Sequence, residues 1–120
     1  LTWFLVFVGG GTGATVRALL AAYVASPWGT LVCNVLGSFL LAVLLHPTVA
    51  ASTEARAALG TGLLGGFTTY STFNLEVARA AQEGHPWRAA GLALGTVALC
   101  LAASAAGWAV AARWKGAGAA

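Results

Sequence analysis

Polar side chains crowd together at residues 65–76, where the chain reads Gly65-Gly66-Phe67-Thr68-Thr69-Tyr70-Ser71-Thr72-Phe73-Asn74-Leu75-Glu76. A hydroxyl both donates and accepts hydrogen bonds, so five in succession can replace the water around an ion. They do not suggest covalent chemistry: no Ser/His/Asp, metal-ligand or paired-carboxylate constellation appears, and His46 and His85 both flank prolines. An enzyme is therefore not expected. Asn34, between Pro27 and His46, adds an amide with two donors and an acceptor, suited either to an ion or to gluing two helices. Thr96, Cys100 and Ser104, spaced i, i+4, i+8, fall along one helix face, which by itself reads as small-residue packing. Arg17 costs about 2.5–3.5 kcal/mol if it lies in hydrocarbon. It either snorkels to the interface or supplies a cation at a water-filled vestibule. Glu76 either faces that vestibule or pairs with Arg79 or Arg17.

The elements that must position these groups are set by composition. Of 120 residues, 59% are hydrophobic and 8% charged, with 16 glycines. Residues 1–16, 18–53, 57–75 and 89–112 carry no charge at all. Such runs are long enough for spanning helices of about 20 residues. Punctuation at Ser26-Pro27, from His46-Pro47 to Glu54, and at Glu83-Gly84-His85-Pro86 predicts four helices, about 2–24, 28–45, 55–82 and 87–112. The sequence thus predicts one all-α integral membrane domain over 1–120 embedded in a lipid bilayer. The first segment lacks a basic n-region, so it reads as helix 1 and not as a cleaved signal. Cys33 and Cys100 lack CxxC or His spacing and read as packing residues. The basic residues are scattered singly, which gives no nucleic-acid patch despite a net charge of +3.

Gly60-Thr61-Gly62-Leu63-Leu64-Gly65 matches a dinucleotide fingerprint formally, with Glu83 downstream, but helix formers precede it and no βαβ pattern exists. The pairs Gly9/Gly13, Gly62/Gly66 and Gly91/Gly95, each four apart, instead predict close helix packing. With Arg56 and Arg79 near the two interfaces, the middle of helix 3 falls between Phe67 and Thr68. Paired glycines followed by weak helix formers favour a helix broken there, near 65–70, over a continuous hydroxyl-rich packing helix. A break bares carbonyls, which can hold a cation, and N–H groups, which favour an anion.

Three blocks resemble the signatures of the Fluc (CrcB-type) fluoride channels: Gly9-Gly10-Gly11-Thr12-Gly13 through Arg17, Gly29-Thr30-Leu31 through Asn34 to Phe39, and Gly65-Gly66 through Glu76. The resemblance implies four-helix subunits paired as an antiparallel homodimer in the cell inner (plasma) membrane, letting toxic fluoride leave passively through two pores around a central structural sodium ion. By motif position, the backbone carbonyls of Gly65 and Thr68 would hold the sodium. Asn34 and the ring edges of Tyr70 and Phe73 would line the fluoride pathway, joined by the Ser71 and Thr72 hydroxyls and by Thr96 and Cys100 on helix 4. Arg17 and Glu76 would lie towards the vestibules. Tyr70 stands where the family usually has phenylalanine, and the helix-4 track is less polar than the pattern.

Charge counting adds an independent expectation. Arg56, Arg113 and Lys115 fall on one side of a four-helix topology and Arg17, Arg79 and Arg88 on the other, so no positive-inside bias fixes the orientation. The competing reading is a small multidrug-type proton-coupled antiporter. That chemistry needs an embedded carboxylate, and Glu54, Glu76 and Glu83 all lie towards segment ends.

Overall fold

The computed structural model describes residues 1–118, and side chains through 114. Its elements are α1 (Thr2–Tyr23), α2 (Trp28–Leu45), α3 (Thr53–Arg56), a π-helical segment (Ala57–Leu64), α4 (Gly65–Phe67), α5 (Tyr70–Gln82) and α6 (Pro86–Gly118), with no strand among the described residues. Lys115, one of the six charges counted above, has its side chain outside the described residues.

Local chemistry sets most of these ends. Proline disfavours helix in the residue before it, and α2 stops at Leu45 with His46 extended (φ −64°, ψ 139°) ahead of Pro47. The Ser52 side chain accepts from Ala55 N–H at 3.1 Å and so starts α3. Helix α5 ends in a Schellman motif: Gly84 has φ 82°, its N–H reaches the Ala81 carbonyl, and His85 N–H reaches the Ala80 carbonyl at 2.9 Å. Glycine adopts that left-handed conformation without a Cβ penalty. Pro86 then opens α6, where its missing N–H costs nothing. The observed bounds extend the fourth predicted helix in both directions and start the third at Thr53, two residues before its predicted start at Ala55.

Helices α1, α2 and residues Pro86–Trp114 of α6 are each long and apolar enough to cross a membrane. Their apolar surface points outwards, with Trp3, Phe7 and Leu19 largely exposed, while the buried set is small: Cys33, Leu64, Phe67, Phe73, Ala80, Ala89 and Ala111. That inversion suits a chain whose outer solvent is hydrocarbon, where helices associate through close packing and not through hydrophobic burial. Helix α1 lies on the π segment and α4, and a Cβ built on Gly66 would sit 3.0 Å from the Cα of Gly10. A Cβ on Gly13 would collide with the backbones of Leu63 and Phe67. Two of the predicted glycine pairs are therefore contact points. The third is not: Cβ atoms on Gly91 and Gly95 would meet nothing within 4 Å, because both glycines border an open cleft of about 290 Å³ whose far wall is Pro27, Trp28 and Leu31.

The connections are tied at both ends. Between α2 and α3, the Arg56 guanidinium donates to the carbonyls of Val49 (3.1 Å), Ala51 (3.3 Å) and Leu45 (3.4 Å). Thr48 Oγ1 donates to the Ala111 carbonyl at 2.8 Å, and His46 meets Trp108 edge-on with ring centroids 4.4 Å apart. At the opposite end, Ser26, Glu76, Arg79, Glu83 and Arg88 share one polar cleft of about 230 Å³.

Candidate functional site

Between α4 and α5 the helical backbone gives way to two extended residues, Thr68 (φ −86°, ψ 155°) and Thr69 (φ −150°, ψ 115°). Each N–H and C=O there needs a partner if it is not to be left bare. Thr68 still belongs to the first helix, with its N–H (3.0 Å) and hydroxyl (2.9 Å) both donating to the Leu64 carbonyl. Thr69 is held from another helix. Asn34 of α2 accepts from Thr69 N–H at Oδ1 (2.8 Å) and donates from Nδ2 to the Thr69 carbonyl (3.0 Å). One amide therefore satisfies both backbone groups of an extended residue, as a neighbouring strand would. The Thr69 side chain then caps α5, accepting from Thr72 N–H at 3.3 Å and donating to Thr72 Oγ1 at 3.1 Å.

These bonds have a consequence for the carbonyls. In a continuous α-helix Gly65 C=O would accept from residue 69 N–H, and Thr68 C=O from residue 72 N–H. The first donor is turned to Asn34 and the second to the Thr69 hydroxyl. Both carbonyls are released from helical pairing. They are the two that the resemblance nominated for sodium, and a hard cation with oxygen ligands fits that donor chemistry. Gly66 C=O, which would have bonded residue 70, instead accepts from Arg17 Nε at 3.1 Å.

Gly65, Thr68, Asn34, Tyr70, Phe73, Thr96 and Cys100 converge on one cleft of about 430 Å³ between α2, α6 and the interrupted segment. Thr96 and Phe73 are buried, whereas Tyr70 is 76% exposed. The two rings have centroids 6.1 Å apart and are tilted at 44°. Asn34 spends one Nδ2–H on Thr69, which leaves its second for the cleft. Ser104 extends the α6 stripe into the same cleft and donates to the Ser38 carbonyl at 3.4 Å.

The other nominated residues lie elsewhere. Ser71 and Thr72 are not in the cleft wall: Ser71 is exposed, 3.4 Å from the Thr69 hydroxyl, and Thr72 sits beneath the same hydroxyl. Arg17 reaches the interrupted segment from the α1 side. The partners of Glu76 are hydroxyls and not the arginines weighed from sequence: Oε1 accepts from Ser26 Oγ (2.6 Å) and Thr30 Oγ1 (2.7 Å), while Oε2 is buried with no partner. Ser26 and Thr30 are residues that sequence reasoning did not single out, and Thr69 was named only as one of five successive hydroxyls. A capping signal for Thr69 was present, a threonine three positions before Thr72 at a helix start. Nothing local ties residues 26 and 30 to residue 76.

The model of one protein family, described as CrcB-like protein, Camphor Resistance (CrcB), matches residues 4–108. The chain belongs to this CrcB-like family. Among curated CrcB-like relatives, a protein of Geobacter sulfurreducens named fluoride-specific ion channel FluC is 40% identical over 88% of this chain and 93% of its own length. One of Sorangium cellulosum with the same name is 42% identical over 92% of this chain and 94% of its own. The Halobacterium salinarum protein named fluoride-specific ion channel FluC 2 is 42% identical over 93% of this chain and 88% of its own. These names describe ion channels and not enzymes.

Proposed function

We propose that this chain is a fluoride-selective channel that lets fluoride leave the cytoplasm passively, working as an antiparallel homodimer in the cell inner membrane with a structural sodium ion between the subunits. The observation that carries the reading is the convergence of Asn34, Tyr70, Phe73, Thr96 and Cys100 on one cleft beside the two released carbonyls. Relatives named fluoride-specific channels support it over most of the chain.

Fluoride is small, strongly hydrated and a powerful acceptor, so a selective passage must replace its water with donors. The free Nδ2–H of Asn34 and the Thr96 hydroxyl supply such donors at the cleft wall. Aromatic edges carry the positive side of the ring quadrupole. Phe73 can offer its edge to the subunit's own cleft, and the exposed Tyr70 to that of an opposed copy. Ser71 and Thr72 would serve at the approach. Glu76 and Arg17 would set the field at the two sides of the interrupted segment.

Sodium, held by Gly65 and Thr68 carbonyls from both copies, would neutralise backbone oxygens that otherwise face each other bare. Direction needs no pump. About 2.3 kcal/mol per charge per 100 mV favours anion exit from a negative-inside cell, roughly fiftyfold in concentration.

The test is ion efflux from liposomes containing only this protein. Electrogenic fluoride efflux with chloride retained is expected, and equal chloride flux would overturn the reading.

A further inference from the structure

We infer that Asn34 and Thr69 are positioning residues for the cation site: by diverting two backbone N–H groups, they keep the Gly65 and Thr68 carbonyls free to bind sodium. The inference rests on the sodium-bearing channel just proposed and gives Asn34 a second duty beyond the pathway. It also assigns a duty to Thr69, whose side chain caps α5.

A carbonyl has two lone pairs, but one that already accepts from the N–H four residues on is aligned with the helix axis and offers a cation less of its negative charge than one released from that bond. For Gly65 the N–H in question is that of Thr69, which Asn34 Oδ1 holds at 2.8 Å. The same amide grips the Thr69 carbonyl at 3.0 Å, so the residue is fixed from both sides and cannot swing back into the helix. Only this orientation of the amide satisfies both groups, since a flipped one would set donor against donor. For Thr68 it is that of Thr72, held by the Thr69 hydroxyl at 3.3 Å. The two devices are linked through Thr69, whose backbone is pinned by α2 and whose side chain caps α5. The carbonyls they release both border the cleft that Asn34 also lines. One amide thus connects cation binding to the anion path, through its Oδ1 and one N–H on one side and its remaining N–H on the other.

Removing either device returns an N–H to its helical carbonyl. Asn34→Leu keeps the branched shape but removes both bonds. Thr69→Val keeps the shape but removes the cap, and Thr69→Ser preserves it. The experiment is thermal unfolding of the purified dimer in detergent, titrated with sodium chloride against N-methyl-D-glucamine chloride and without fluoride. Fluoride efflux from liposomes is measured in parallel.

The sodium concentration giving half of the stabilisation is expected to rise roughly tenfold or more in Asn34→Leu and Thr69→Val. Thr69→Ser should stay near the starting value. If Asn34→Leu does not yield a folded dimer, the comparison of Thr69→Val with Thr69→Ser decides the matter. Loss of fluoride efflux in Asn34→Leu with an unchanged sodium midpoint would overturn the inference and leave the channel reading standing. Absence of any sodium-specific stabilisation of the unsubstituted protein would overturn it as well. Failure of the unsubstituted protein to pass fluoride would count against the channel reading alone, because the sodium titration is read independently.

Discussion

Arg17 Nε lies 3.1 Å from the carbonyl oxygen of Gly66, 49 residues further along the chain. This places a fixed positive charge at the C-terminal end of α4, where helix carbonyls concentrate negative potential. The contact also explains how an arginine is tolerated deep in an apolar chain. Its charge meets a carbonyl that the interrupted helix cannot pair. Arg17→Leu should therefore lose about 1–3 kcal/mol of stability by leaving Gly66 C=O bare. Arg17→Lys, with a point charge in place of the planar fork, should recover only part of it. Thermal unfolding of the two variants in detergent checks this, and an unchanged Arg17→Leu would show that the bond contributes nothing.

Glu76 offers a sharper contrast, because its two oxygens have opposite surroundings. Oε1 accepts from two hydroxyls while Oε2 is buried without a partner. Glu76→Gln keeps an oxygen for Ser26 and Thr30, so it should fold with stability within about 0.5 kcal/mol of the parent. Glu76→Ala strands both hydroxyls and should cost about 1–3 kcal/mol. The same pair separates a channel from a proton-coupled antiporter. Electrogenic anion flux should persist in Glu76→Gln and be indifferent to an imposed proton gradient, whereas an antiporter would lose its coupling with the carboxylate.

Equal spacing of glycines does not mean equal duty. Gly66→Ala should destabilise by about 1–3 kcal/mol through overpacking, because its new methyl meets the Gly10 backbone. Gly91→Ala meets open space within the chain and should leave a detergent-solubilised subunit unchanged to within about 0.5 kcal/mol. Comparable losses at both positions would mean that a second chain covers α6 at Gly91.

Orientation in the membrane can be tested by charge alone. Several lysines added after Lys115 should pin one orientation and abolish fluoride export when that variant is expressed by itself. Co-expression with a variant carrying lysines in the 83–86 loop, pinned the other way, should restore export. Normal export from either variant alone, once its single orientation is shown, would exclude an antiparallel pair.

Element ends were legible in the sequence wherever the signal was local: Pro27, His46-Pro47 and Gly84-His85-Pro86 stop or start helices through their own backbone restrictions. The cleft was legible only as a set of polar types. Thr96 and Asn34 could be named, but the bonding of Asn34 to Thr69, 35 residues away, is a tertiary fact with no local trace. Arg17 and Glu76 stood out as isolated charges, yet their partners, a backbone carbonyl and two hydroxyls, are groups that charge counting does not consider. The glycine pairs show the same limit. Spacing reports that a backbone can approach, and only the fold decides whether one does.

The π-helical run from Ala57 to Leu64 feeds directly into α4. A π run bonds one residue further along the chain than an α-helix does, so each of its turns holds an extra residue. Removing a single residue such as Thr61, so that the run tightens to α, would therefore leave Gly65 and Thr68 facing nearly their present neighbours, with Gly66 C=O still within reach of Arg17. The same deletion inside a fully α-helical stretch would turn everything after it by about 100° about the helix axis. The run thus holds a spare residue, which makes this part of the chain more forgiving of a lost residue than the α-helices around it.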